Sequence, residues 1–131
     1  MPELTKMDAS LRHLRPEFAY LLGKLRMLID QKGLPLRMIE GFRSNERQDY
    51  LFAQGRTRPG DKITVAQGGQ SPHNHGLGAD WVFLTGGGGV TWNGPWEVFG
   101  VLAKQAGLIW GGDWQSKDLC HVEHPNWKQM I

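Results

Sequence analysis

After Pro16 the apolar residues Phe18, Leu21, Leu22, Leu25, Leu28 and Ile29 recur at spacings of three and four. That period lays one apolar stripe along a helix. Pro16 suits a first helical position, and Gly33 suits the stop. In a chain of 131 residues, such a helix supplies one wall of the core. The rest of the chain has no βαβ rhythm. Short strand candidates at 36–42, 80–84, 108–110 and 119–123 are separated by hairpin-length gaps and two more helical segments. Ser44 caps the first of these, which runs to about Gln54 and stops at Gly55. Pro95 opens the second, with Trp96, Phe99, Leu102, Ala103 and Ala106 on one face and Gly107 at its end. The expectation is an α+β fold, a small antiparallel sheet with about three helices packed around it. Residues 1–131 are read as a single domain, with no room for a second one.

Composition narrows the class further. Cys120 is the only cysteine, which excludes an internal disulfide framework, four-Cys zinc knuckles and CxxC redox chemistry. Lys+Arg of 15 against Asp+Glu of 13 gives too mild a charge to argue for nucleic acid, and it does not oppose an anionic polymer. A transmembrane helix needs about 18 or more apolar residues, and the best stretch, 18–29, is interrupted by Lys24 and Arg26. The N-terminus lacks the basic-then-apolar pattern of a signal peptide. A monomer without membrane insertion, made in the cytoplasm, is expected. Residues 55–72 form a long irregular connection of the kind that is functional or disordered, and 86–89 reads as a solvent-exposed Gly turn.

Four of the five His lie in two clusters, each with a carboxylate nearby: Ser71-Pro72-His73-Asn74-His75-Gly76-Leu77-Gly78-Ala79-Asp80 and Asp118-Leu119-Cys120-His121-Val122-Glu123-His124. Imidazole and carboxylate are zinc ligands, and a catalytic zinc takes three of them while leaving a fourth position open. His73, Asp80 and His121 supply that set. His75 is an alternative ligand. His124 reads as a surface residue after the strand and Cys120 as a small buried apolar residue. The string His73-Asn74-His75 is too compact for an HNH nuclease.

The segment from Ser71 to Asp80 resembles the S-x-H-x-x-G-x-A-x-D motif of zinc peptidases that cut peptidoglycan peptides, the family of the D-alanyl-D-alanine carboxypeptidases and phage L-alanyl-D-glutamate endolysins. Ser71, His73, Gly76 and Asp80 match, with Gly78 where Ala is usual. Asp118-x-x-His121-x-Glu123 resembles the family's second motif, with Cys120 where many endolysins carry Pro. Gly41-Phe42-Arg43-Ser44 with Arg47-Gln48, the run from Gln54 to Gly60, and Trp110-Gly111-Gly112-Asp113-Trp114 are similar to the endolysin branch. The resemblance covers about residues 36–124 in order.

This resemblance implies Zn(2+) held by His73, Asp80 and His121, with Asp118 as general base and Arg43 as stabiliser of the charge that develops on the carbonyl oxygen. Ser71 and Trp114 are candidate substrate contacts. Asp118 reaches the site only from the loop before the strand, because residues two apart on a strand share a face. If the strand began at Asp118, Glu123 would be the base. The implied activity is hydrolysis of the L-Ala–D-Glu amide of bacterial peptidoglycan, by a lysin that reaches the wall after release from the cytoplasm. The alternatives are D-Ala-D-Ala carboxypeptidase or dipeptidase action and a non-catalytic, hedgehog-like zinc module.

Overall fold

The apolar stripe becomes α1, Pro16–Lys32, which buries Phe18, Leu22, Leu25 and Ile29. Gly33 ends it with φ of 72°, its N–H capping the carbonyls of Ile29 and Asp30, a left-handed conformation that glycine adopts without a Cβ penalty. The computed structural model describes residues 4–131. Within them the further elements are β1 (Leu36–Glu40), α2 (Asn45–Ala53), β2 (Gly78–Leu84), β3 (Val90–Thr91), α3 (Trp96–Gln105), β4 (Ile109–Trp110) and β5 (His121–Glu123). The expected α+β class is what the chain adopts.

The sheet is antiparallel throughout, in the order β1-β2-β5-β4, with β3 also paired to β2. α1 and α3 pack on each other and on the sheet. Phe18, Leu22, Leu25, Trp81, Phe83, Trp96, Phe99 and Val122 belong to one buried cluster. Phe83 meets the Trp96 ring edge-on, with centroids 4.6 Å apart, and burial of each such side chain contributes about 1.5–3 kcal/mol. This core holds β2 and β5 rigid, and both strands carry candidate ligands. Among the described residues no helix is long and apolar enough to cross a membrane.

Several boundaries differ from the sequence reading. β1 stops at Glu40, β2 starts at Gly78, β4 starts at Ile109 and β5 starts only at His121. The run 86–89 is the turn of a hairpin closed by the Thr85 N–H on the Gly89 carbonyl, and it returns the chain into β3, which the sequence did not announce. The connection between α2 and Pro72 is irregular as expected, yet it is tied down. Arg58 stacks on Tyr50 at 3.6 Å and donates to the Tyr50 carbonyl. The Gly68 N–H reaches the Asp49 carboxylate at 2.7 Å.

Candidate metal centre and active site

Sheet register does the first part of the assembly. Asp80 on β2 lies directly opposite His121 on β5 and opposite Glu40 on β1, so all three project from one face. The β1–β2 ladder shifts register between Met38 and Glu40: Met38 pairs with Trp81, but Glu40 pairs with Asp80. This bulge turns Glu40, rather than Ile39, toward Asp80.

The third ligand comes from a short 3₁₀ turn, Pro72–His75. Ser71 caps it, its hydroxyl accepting the His73 N–H, and Asn74 completes a capping box. Gly76 closes it with φ of 70°, and a Cβ there would stand 3.0 Å from the Arg15 backbone nitrogen. The turn is stitched to the β1–α2 connection by the Arg43 N–H on the His73 carbonyl and by the Asn74 amide on the Arg43 carbonyl, 2.9 Å.

One ligand atom each from His73, Asp80 and His121 lies within 4.8 Å of the others. The outer nitrogens of both rings face acceptors. His73 Nδ1 sits 2.7 Å from the Gly41 carbonyl, and His121 Nε2 sits 2.8 Å from Glu123 Oε1. With the hydrogen on each outer nitrogen, the neutral rings present lone pairs on His73 Nε2 and His121 Nδ1; with no metal bound, His121 instead turns a proton toward Asp80. His73 Nε2 and His121 Nδ1 are 3.4 and 3.1 Å from Asp80 Oδ1. As neutral rings and a carboxylate, these three acceptors converge on one point and call for a cation among them. Two nitrogens and a carboxylate oxygen are a donor set that suits zinc.

The electrostatics point the same way. Burial alone would raise the Asp80 pKa, but the charge of His73 and the hydrogen bond from His121 outweigh it and hold the carboxyl well below its ordinary value. Burial alone would lower the His121 pKa, but hydrogen bonds to Asp80 and Glu123 dominate and push it up to about 9. The carboxylates thus stabilise positive charge on His121, and the charge of the imidazoles keeps Asp80 ionised.

Arg43 is not the surface ion pair that a strand-end arginine usually makes. It is 9% exposed, donates to Glu40 Oε1 at 2.7 Å and to Gln48 Oε1 at 2.9 Å, and holds Nη2 3.6 Å from Asp80 Oδ2. Glu40, itself 3% exposed, also accepts from Arg47 Nε at 2.6 Å. Its carboxyl would be raised by burial, yet the two guanidinium partners hold it below the ordinary value. Gln48, fully buried, donates onward to the Ala66 carbonyl and Thr64 hydroxyl. Arg43 is thus clamped, with one edge turned to the candidate ligand Asp80.

Asp118 is exposed and lies in the loop before β5. Its N–H is held by the Gly111 carbonyl at 2.9 Å. A Cβ on Gly111 would collide with the Asp118 backbone carbonyl, so only glycine lets the Trp110–Trp114 segment come this near. The Trp114 ring, 38% exposed, stands 5.3 Å from the His121 ring and forms an open wall beside the ligand.

Other expectations resolve by geometry. Ser71 is 6% exposed, and its hydroxyl accepts the His73 N–H as a cap. His75 turns away from the ligand cluster, with Nε2 2.8 Å from the Gly69 carbonyl and its ring stacked on Trp127. His124 accepts the Asn126 N–H. Cys120 is half-buried beside Asp118. Burial and the charges of Asp80 and Asp118 push its thiol far up, which suppresses the nucleophilic thiolate. A cavity of about 590 Å³ between the 6–13 segment and Phe42, Ser44 and Arg47 contains none of the ligand residues. Sequence reasoning missed Glu40 and Trp127. The only signal for Glu40 was the imperfect alternation of its strand.

Known proteins match this chain over most of its length. The VanY family model, described as D-alanyl-D-alanine carboxypeptidase, matches residues 11–85, and a second model with the same description matches 64–124. The peptidoglycan L-alanyl-D-glutamate endopeptidase CwlK of Bacillus subtilis (strain 168) is 39% identical over 110 residues, 76% of this chain and 66% of that protein. The chain therefore spans just under two thirds of that relative's length. Among solved structures, the Serratia marcescens L-Ala D-Glu endopeptidase ChiX superposes with a TM-score of 0.70 at 22% identity, covering 98% of this chain and 93% of that one. The vancomycin-resistance D,D-pentapeptidase VanY, solved with Zn(II), gives 0.64 at 17% identity, covering 90% and 80%. With more than half of its residues inside the first family match, and the ligand cluster assembled from the very motifs that suggested it, the chain belongs to the VanY family of D-alanyl-D-alanine carboxypeptidases and their endopeptidase relatives.

Proposed function

We propose that this chain is a zinc-dependent peptidoglycan endopeptidase that hydrolyses the amide between L-Ala and D-Glu of the stem peptide. The observation that carries the reading is the convergence of His73 Nε2, Asp80 Oδ1 and His121 Nδ1, with the clamped Arg43 beside Asp80. The choice of bond is supported by CwlK and ChiX, whose names specify that linkage. D-Ala-D-Ala carboxypeptidase action is the second reading, favoured by the description of the matching family.

His73, Asp80 and His121 would hold the zinc, which would supply Lewis-acid polarisation of a carbonyl and of water. Asp118 takes a proton from the attacking water and delivers it to the leaving amine. Arg43 faces the developing negative charge with a guanidinium already fixed by Glu40 and Gln48, so little reorganisation is needed as the charge forms. Trp114 offers an apolar face to the substrate next to His121. Residues 1–131 act as one catalytic unit, a monomer working on cell wall, and endolysin-type lysis results if the enzyme is given access to it.

Digestion of purified peptidoglycan followed by mass spectrometry of the muropeptides tests this. The expected products carry new L-Ala carboxyl ends and D-Glu amino ends, with no free D-Ala. Release of free D-Ala without those ends overturns the endopeptidase reading in favour of the carboxypeptidase one. Intact muropeptides from the zinc-loaded protein overturn both and favour a non-catalytic zinc module.

A further inference from the structure

Glu123 does not face the side of His121 where the three ligand atoms meet. Its carboxylate stands behind the ring: Oε1 is 2.8 Å from His121 Nε2, and His121 Nδ1 is the atom turned to Asp80. The second oxygen is also engaged, accepting the Trp127 indole N–H at 2.8 Å. Glu123 is 8% exposed. Such a carboxylate is costly to bury unless both its oxygens are paired, and here each has one donor.

Trp127 is fixed in turn. Its backbone N–H bonds to the His124 carbonyl, and its ring lies nearly parallel to that of His75, with an interplanar angle of 25° and centroids 6.1 Å apart. His75 is two residues from His73, and Glu123 is two residues from His121. One tryptophan outside both motifs therefore braces the segments that carry two of the three ligands.

We infer that Glu123 and Trp127 are positioning residues for the metal: the Trp127–Glu123 pair locks His121 in the tautomer that leaves Nδ1 free to ligate and sets the ring's angle toward Asp80. The carboxylate also makes the imidazole a stronger donor to a cation, the effect expected of a carboxylate behind a metal-bound histidine. This assigns Glu123 a role other than general base, the part it would have taken had β5 begun at Asp118. The inference rests on the zinc site proposed above but not on which bond is cut.

The test is a zinc titration of the full chain against a competing chelator, with thermal unfolding of the zinc-free protein recorded in parallel. Glu123→Gln keeps the shape but has a single oxygen for two donors, so zinc affinity is expected to fall about 10–100-fold. Trp127→Phe keeps the ring against His75 and removes only the indole N–H, so it is expected to weaken zinc by a smaller factor. This second variant carries the test if Glu123→Gln does not fold. Saturating zinc is expected to restore most of the turnover of both. In nitrogen-edited proton NMR of the zinc-loaded protein, the His121 Nε2–H resonance is expected far downfield and shifted upfield in Glu123→Gln. Unchanged zinc affinity in the folded variants, with lowered thermal stability alone, would reduce the pair to a packing role and overturn the inference. Collapse of kcat at saturating zinc with unchanged affinity would overturn it too, and would make Glu123 the base. In either case the parent protein still binds zinc, so the failure is separable from a failure of the proposed function.

Discussion

Replacing Asp118 by Asn is expected to leave zinc bound and to remove most of the turnover. Asn preserves the shape of the carboxylate and abolishes its proton affinity, and a general base contributes about 10²–10⁴-fold. The structure adds two reasons to expect a clean result. Asp118 is exposed and precedes β5, so the change strands no buried charge. Its backbone N–H, not its side chain, makes the 2.9 Å bond that anchors the loop to Gly111. Steady-state kinetics with a zinc assay on the same sample checks this. A variant with parental kcat would remove Asp118 from the chemistry.

Arg43→Ala is expected to lower kcat by about 10²–10³, with a smaller change in KM, because in the proposed mechanism the guanidinium meets charge that develops only in the transition state. The loss has a second component. Glu40 then keeps Arg47 but loses the 2.7 Å bond from Arg43. Breaking a buried pair outright costs about 3–5 kcal/mol. The remaining arginine keeps the destabilisation below that range, and a fall in Tm is expected. Arg43→Lys should recover the charge but not the fork that spans Glu40 and Gln48, and hence only part of the rate. Normal kcat with raised KM in Arg43→Ala would mean that the residue only holds a substrate carboxylate.

The parts of the molecule most legible in the sequence were those encoded locally. α1 announces itself by its period and by Gly33, and the capped α2 by Ser44, whose hydroxyl accepts the Arg47 N–H at 3.0 Å. The clustering of His73, Asp80 and His121 was legible because each histidine lies in a short motif with its own turn chemistry, Ser71 and Gly76 around one and the loop before β5 around the other. The missed features depend on contacts across the fold. Glu40 ends a strand that reads Leu-Arg-Met-Ile-Glu, where a final carboxylate looks solvent-facing. Its burial comes from the bulge at Met38–Glu40 and from two arginines that close over it. β3 is two residues long, too short for a periodic signal. Trp127 lies beyond both motifs, and its link to the metal site exists only once the C-terminal segment folds back on His75.

The place where a metal binds can be seen directly. Anomalous diffraction at the zinc edge from crystals grown with zinc, together with zinc stoichiometry in solution, reports it. One zinc per chain is expected, bound by His73 Nε2, Asp80 Oδ1 and His121 Nδ1, and absent from Asp80→Ala along with hydrolysis of peptidoglycan. A zinc peak on His75 or His124 instead, or an Asp80→Ala protein that binds zinc and cuts wall as the parent does, would contradict it.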